Sequence, residues 1–343
     1  MSKVWYEDIK SDRTPIISSR IRLARNLKKY SFPVKLSEED SKKLINDVIT
    51  SLENISIGED FSYTRVNDLS DIEKISMMEK HEISLGLLKN QKPCGALANS
   101  DKSINIMINE EDHLRIQTIF PGKNIGSSWD LADKIDNIIE ESLEYAFDKD
   151  FGYLTSCPSN TGTGLRASYM VHIPMHEKSG KIQGLAAVLS KFGMTIRGIY
   201  GEGSEPLGSI YQISNQVTLG KTEQEIIEGL DNIANQIIEN ENAILQEMLN
   251  SQPIFIEDNV YRALGILKTA RKIPIKEAMS LLSAVRLGFN YEIIKEARPN
   301  INIYNIMMNV EPGNLQKMHD KILLEEEKDI LRAEYLRSIF DYN

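Results

Sequence analysis

The chain has 343 residues, 41% hydrophobic and 26% charged, with a formal net charge of -10. That composition suits a large globular domain with a smaller companion, and the acidic balance argues against general nucleic-acid binding, which needs an excess of Lys and Arg to neutralise phosphates. No stretch approaches the roughly 20 apolar residues of a membrane span, and the start lacks a signal-like apolar core. The two cysteines, Cys94 and Cys157, are too few for a disulfide framework or a structural zinc site. A cytoplasmic protein with no direct nucleic-acid or membrane contact is expected.

In chain order, Ser18-Ser19-Arg20-Ile21-Arg22 reads as extended, which would point both arginines to one side because strand side chains alternate. Further strands are expected at 103–108, 152–157, 168–173, 195–200 and 209–216, where β-branched or alternating residues cluster. Between them, 130–147 has helical spacing, with Leu131, Ile135, Ile138, Leu143 and Phe147 near one face. Thr222 with Glu225 forms a capping box opening a helix that can reach residue 250, its apolar stripe running from Ile226 to Met248. This α+β texture, a mostly antiparallel sheet with flanking helices, gives way after Ser251-Gln252-Pro253 to helices alone, so domains of 1–252 and 253–343 are expected. Pro274 stands near one helix start and Pro299 ends another, and Leu323, Leu324, Ile330, Leu331, Leu336 and Ile339 are available to pack the last helix.

Four segments could carry chemistry. The Arg20 and Arg22 pair suits an anion, the alternative being two solvated surface arginines. Asn109-Glu110-Glu111-Asp112-His113-Leu114-Arg115 follows an apolar strand, and its carboxylates could hold a guanidinium in a bidentate fork and accept its proton. Taken separately, Glu110 and Asp112 read as an acidic turn in solvent. The segment from Cys157 to Ser168 contains Gly162-x-Gly164-x-x-Ala167, a dinucleotide-like spacing, but the run beyond it is strand-like and no Gly-Lys-Ser/Thr is present. Phosphate grip would then fall to Arg166 and backbone amides. Cys157 is either a core thiol or one pushed toward thiolate by nearby arginines. Finally, Arg197 to Glu205 is a glycine-spaced loop, usually just a turn. The histidines offer no convincing metal pattern, whereas magnesium carried by nucleotide phosphates needs few protein ligands.

Together, in order, the motifs at 18–22, 109–115 and 157–168 resemble those of the ATP:guanido phosphotransferases, the family of creatine and arginine kinases. The resemblance covers roughly residues 15 to 250 and implies a sheet-based catalytic domain that uses ATP and magnesium. It implies that Arg20, Arg22, Arg115 and Arg166 grip phosphates, with His81 and Arg197 contributing and Ser18, Ser19, Ser168, Tyr200 and Glu202 in the nucleotide-binding segments. By the same resemblance Glu111 and Glu205 orient the guanidinium, either being the base, and Cys157 tunes its charge without forming a covalent intermediate. Tyr200 departs from the pattern, standing where small-molecule members have a further phosphate-binding arginine.

Small-molecule members also carry a helical domain of about a hundred residues before the Arg-x-Arg motif, whereas 19 residues precede Arg20 here. With the helical tail, this makes the sequence resemble the McsB-type bacterial protein-arginine kinases of the stress response. That branch implies protein substrates, a zinc-containing McsA-like activator, a heat-shock repressor, Clp protease machinery, and homodimers or larger self-assemblies. It further implies an allosteric phosphoarginine site, for which the tail offers Lys328-Asp329-Ile330-Leu331-Arg332-Ala333 with lysine in place of the first arginine. Lysine keeps the charge but loses the bidentate fork; without the upstream motifs the segment reads as a solvated helix ladder. The competing functions are a small-molecule arginine kinase and a catalytically idle phosphoarginine-binding adaptor.

Overall fold

The computed structural model describes residues 4–8, 13–53, 60–199, 206–295 and 302–341. Its strands are β1 (Ile16–Arg25), β2 (Ser62–Arg65), β3 (Gly95–Ala98), β4 (Ile104–Ile108), β5 (Leu114–Pro121), β6 (Phe147–Asp148), β7 (Gly152–Tyr153), β8 (Leu165–His172), β9 (Met194–Gly198) and β10 (Ile210–Asn215). The helices are α1 (Glu38–Glu53), α2 (Asp71–Glu79), α3 (Leu85–Lys89), α4 (Ile125–Ser142), α5 (Pro174–Lys178), α6 (Ile182–Lys191), α7 (Glu223–Ser251), α8 (Pro253–Thr269), α9 (Ile275–Asn290), α10 (Ile303–Asn309), α11 (Pro312–Met318) and α12 (Glu325–Phe340). Eight strands form one sheet in the order β2-β3-β4-β5-β1-β8-β10-β9. Every neighbouring pair is antiparallel.

Alternation along the central strands decides what each face does. Ile21 and Leu23 of β1, Ile116 of β5, Ala167 and Tyr169 of β8 and Ile213 of β10 form one apolar face, buried beneath Ile135 and Ile139 of α4 and Leu230 and Ala234 of α7. The opposite face is divided. At one end Ile119, Met170 and Ile210 pack against Val260, Leu264, Leu282, Met307 and Leu336 of the helical region. At the other end the same face carries Arg20, Arg22, Arg115 and Arg166, because Arg22 lies opposite both Gln117 and Arg166, and Ala24 opposite Arg115.

The Thr222–Glu225 capping box opens α7, which runs to Ser251, and Pro253 opens α8 at once, so the change of texture at 252 is a turn between two helices. Pro274 is the N-cap of α9, and Pro299 lies outside the described residues. Several expected boundaries move. Phe147 is 59% exposed on β6, since α4 ends at Ser142. Only Gly152–Tyr153 of the expected 152–157 strand is extended, the rest being a loop, and β8 begins at Leu165, before the expected Ser168. On α12 the buried side is Lys328, Arg332, Ala333, Leu336 and Phe340, while Leu324 and Ile330 are exposed. Lys328 and Arg332 therefore face inward, which removes the alternative reading of the segment as a solvated ladder.

A buried ion pair braces the end of β1 against the loop that precedes β8. The Arg25 guanidinium donates through Nε (3.1 and 3.0 Å) and Nη2 (2.6 Å) to Asp136 of α4. It also donates through Nη1 to the carbonyls of Ala24 (2.9 Å) and Thr163 (3.0 Å), and lies 3.5 Å from the Tyr153 ring centroid. Removing one partner leaves an uncompensated buried charge. Asp136→Ala is expected to destabilise the protein by about 3–5 kcal/mol, measured by urea unfolding; a loss within error of zero would show that the pair is not a brace.

Candidate active site

Five arginines, Arg20, Arg22, Arg115, Arg166 and Arg197, line a cavity of about 170 Å³ on the divided face. Each is placed by its strand, and two are held by neutral side chains. Arg20 Nη2 donates to Gln212 Oε1 and its Nε approaches Ser168 Oγ (3.5 Å), while Arg166 donates to Ser214 Oγ through Nε and Nη2, both at 3.3 Å. Arg22 Nε is buried with no hydrogen-bond partner among the described residues. Burial, then the other arginines, lowers the Arg20 pKa to about 10 and pulls Arg22 well below its ordinary value. A guanidinium stays charged nonetheless, so the cavity is a concentrated cation. An anion with several oxygens is the ligand that relieves it.

His81 joins this wall, its pKa pushed down to about 3 by burial and by Arg20 and Arg22, so its imidazole is neutral. Ser168 contributes through Arg20, whereas Ser19 lies on the other face, where its hydroxyl donates to the Gly122 carbonyl and accepts the Asn124 amide, both at 2.7 Å. Ser18 is buried next to Arg20 on β1 but does not line the cavity. Tyr200, Glu202 and Glu205 lie outside the described residues.

A second, wider cavity of about 830 Å³ is lined by Glu110, Glu111 and Ser156 together with Pro33, Val34 and Leu36. The two cavities meet at an ion pair: Arg115 Nη1 donates to Glu110 Oε1 at 2.9 Å, and the same oxygen accepts from Ser84 Oγ at 2.7 Å. Cys157 Sγ lies 3.0 Å from Ser159 Oγ, and the thiol is near enough to Glu111 to favour its charged form. Burial first, then Glu110, raises the Glu111 pKa.

The buried carboxylate of Asp112 explains why Glu111 and Cys157 meet. Its Oδ1 accepts from Asn26 Nδ2 and from the Ser156 amide, both at 2.6 Å, tying the turn after β4 to the loop before Cys157. Neither Glu110 nor Asp112 is a solvated turn residue, because each has a buried cationic or amide donor. Gly162 and Gly164 are required by close approach, not by a dinucleotide: a Cβ at Gly162 (φ 113°) would lie 2.4 Å from the Thr218 carbonyl, and one at Gly164 (φ 64°) 2.6 Å from that of Ala24. The antiparallel strand β8, which begins immediately after Gly164, also rules out the dinucleotide-binding turn.

In the helical region Arg332 donates to the carbonyls of Val310 and Ile273, both at 2.9 Å, and to Asp329 (2.8 Å), while Lys328 pairs with Glu325 (2.5 Å). Ala333 is buried beside them. Among the described residues no group of three or more His, Cys, Asp or Glu side chains could hold a metal ion, and no helix is long and apolar enough to cross a membrane.

A cationic cavity joined to one that carries Glu110 and Glu111, next to the loop of Cys157, suits moving a phosphoryl group to a cationic acceptor. The chain belongs to the ATP:guanido phosphotransferase family: the profile of that family's C-terminal catalytic domain matches residues 43–244. Residues 253–343 match the profile described as the protein-arginine kinase McsB C-terminal domain. The chain is 45% identical over 327 residues, 95% of its length and 96% of the relative's, to a protein-arginine kinase of Caldanaerobacter subterraneus subsp. tengcongensis. It is 44% identical to a protein-arginine kinase of Clostridium kluyveri, covering 94% and 93% of the two chains. Among solved structures it is similar to lombricine kinase (TM-score 0.61, 25% identity, 68% of this chain and 67% of that one). It is also similar to the duplicated taurocyamine kinase of Schistosoma mansoni with bound transition state analog components (TM-score 0.62, 25% identity, 78% and 42%).

Because the Glu111 pKa is raised, its carboxylate takes up a proton, as pH falls, before an ordinary glutamate does. A 13C NMR titration should place its midpoint above that of an exposed glutamate, and Cys157→Ala should move it higher still by removing a donor to the charged form. A midpoint at the ordinary value, or one lowered by Cys157→Ala, would contradict this geometry.

Proposed function

We propose that this chain is a protein-arginine kinase, transferring the γ-phosphoryl of ATP to arginine side chains of proteins. The observation that carries the reading is the junction of the two cavities at Arg115 and Glu110, with five arginines on one side and Glu111 on the other. A guanidinium nitrogen in the wider cavity attacks the γ-phosphorus, a nitrogen–phosphorus bond forms, the bond to the bridging oxygen breaks, and ADP leaves. The nitrogen's proton passes to a carboxylate, for which Glu111 and Glu205 are the two proposed groups.

In this reading Arg20, Arg22, Arg115, Arg166 and Arg197 hold the phosphates and offset charge on the transferring group, with His81, Tyr200 and Glu202 in the same nucleotide site. Ser168 supports it through Arg20, whereas Ser18 and Ser19 stay away from the cavity and keep no nucleotide role in this reading. The Cys157 thiol, near Glu111, tunes the charge beside the acceptor. Among the described residues the first cavity is lined by no carboxylate, which fits a magnesium ion carried by the nucleotide's own phosphates, where it would neutralise their charge. The wider cavity, with Val34 exposed at its rim, has room for the chain that carries an arginine. This favours a polypeptide acceptor over a small guanidine.

Residues 1–252 are proposed as the catalytic domain and 253–343 as a helical docking domain in which Lys328, Asp329, Arg332 and Ala333 bind phosphoarginine. Proposed partners are the protein substrates, a zinc-containing activator, a heat-shock repressor and Clp protease machinery, in the cytoplasm, with a homodimeric or larger assembly.

The test is incubation with magnesium ATP and either an unfolded arginine-rich protein or free arginine, followed by mass spectrometry for acid-labile phosphate. Phosphoarginine on the protein is expected; product from free arginine alone would move the activity to small guanidines, and none with either would leave only binding. Arg166→Ala should lower kcat by about 10²–10³-fold if it stabilises the transferring group. Glu205→Ala should abolish phosphorylation while leaving ATP binding near normal in calorimetry, and retained turnover would remove its assigned role.

A further inference from the structure

The helical region reaches the arginine cavity through one short segment. His81, between α2 and α3, has a left-handed backbone (φ 60°) that a histidine adopts only when its surroundings hold it there. Its amide donates to the Met78 carbonyl at 3.0 Å, and its own carbonyl accepts from Gln117 Nε2 at 2.8 Å, the residue opposite Arg22 in the sheet. Those bonds fix the backbone; the ring needs a separate restraint. It comes from the helical region, where the Tyr304 hydroxyl of α10 lies 3.0 Å from His81 Nε2. Both side chains are buried, and Trp5 packs beside both rings, with centroids 6.4 Å from His81 and 6.1 Å from Tyr304.

Two further contacts hold the preceding helix to the same region. Ser76 Oγ donates to Asn314 Oδ1 at 2.7 Å, and the two carboxylate oxygens of Glu79 accept the amides of Gly313 (2.8 Å) and Asn314 (2.7 Å) at the start of α11. A Cβ at Gly313 would lie 2.5 Å from Ile75 Cγ2, so the two elements are in the closest contact a glycine permits. The α2 end and His81 are thus clamped at three points by residues more than 200 positions away.

We infer that Tyr304 is a positioning residue for the nucleotide site: its hydroxyl sets the orientation and tautomer of the His81 imidazole at the wall of the arginine cavity. The inference rests on the reading of that cavity as the nucleotide site. A neutral imidazole has one donor and one acceptor nitrogen; in this arrangement the Tyr304 hydroxyl donates to Nε2, which leaves the ring proton on Nδ1 as the donor offered to a phosphate. Among five arginines that already supply charge, the ring's contribution is a hydrogen bond of set direction. Its loss weakens nucleotide binding without disabling the transfer step.

The test compares the full-length chain with Tyr304→Phe, which keeps the buried ring, and with Tyr335→Phe, which loses a hydroxyl that accepts from Asn309 in the same region. ATP affinity is read by calorimetry without acceptor, KM and kcat in the phosphorylation assay, and the His81 tautomer from imidazole 15N shifts. For Tyr304→Phe the expected result is a fivefold to tenfold weaker ATP affinity, or about one hydrogen bond, with kcat within about twofold and altered His81 shifts. Tyr335→Phe should change none of these. Wild-type ATP affinity and unchanged His81 shifts in Tyr304→Phe would overturn the inference, as would equal losses in both variants, which would mark general loosening. Wild-type activity on protein arginine is read in the same experiment, so failure of the kinase reading is seen independently of Tyr304.

Discussion

Five guanidinium groups confined to one cavity repel each other, and the rest of the structure is arranged so that they stay there. Four of them stand on the central strands β5, β1 and β8 and one on the edge strand β9, so moving any of them means moving sheet. Gln212, Ser168 and Ser214 orient Arg20 and Arg166 without cancelling their charge, while Arg115 is paired with the carboxylate of Glu110. The helical region covers the apolar half of the same face, which keeps water from that side and leaves the charged half as an enclosed recess. Preorganised charge of this kind is effective because it is set in place before the reacting group arrives.

The wider cavity is built by a different device. Strand alternation cannot bring Glu111 and Cys157 together, since they belong to a turn and a loop 46 positions apart in the chain. Asp112 does so, using one buried oxygen to hold Asn26 and the Ser156 amide. Arg25 and Asp136 brace the far end of that loop at Thr163. Two buried carboxylates outside the chemistry therefore set the geometry of the groups inside it.

Much of this was legible in the residues. The period-two pattern of Ser18 to Arg22 placed both arginines on one face, and the Thr222–Glu225 box marked the start of α7 correctly. The α+β class and the change to helices after Pro253 were also readable, because both depend on local pattern. The long-range partners were not. Asp112 looked like a solvent-facing acid because nothing local reveals Asn26, 86 positions earlier. Lys328 and Arg332 looked solvated on charge alone, and the burial of Arg332 depends on the carbonyls of Val310 and Ile273 on other segments. Phe147 and the 152–157 run were misplaced because helical and strand periods continue past an element's end in sequence.

The central claim is that the arginine cavity and the Glu111 cavity form one reaction path through the Arg115–Glu110 junction. Its most direct test is a crystal structure with magnesium ADP, an arginine-containing peptide and nitrate, a planar anion that imitates the transferring phosphoryl group. The account predicts ADP phosphates among Arg20, Arg22, Arg115, Arg166 and Arg197, the peptide's guanidinium against Glu111 and Cys157, and nitrate in line between them. A guanidinium bound away from Glu111, or phosphates outside the arginine cavity, would contradict it.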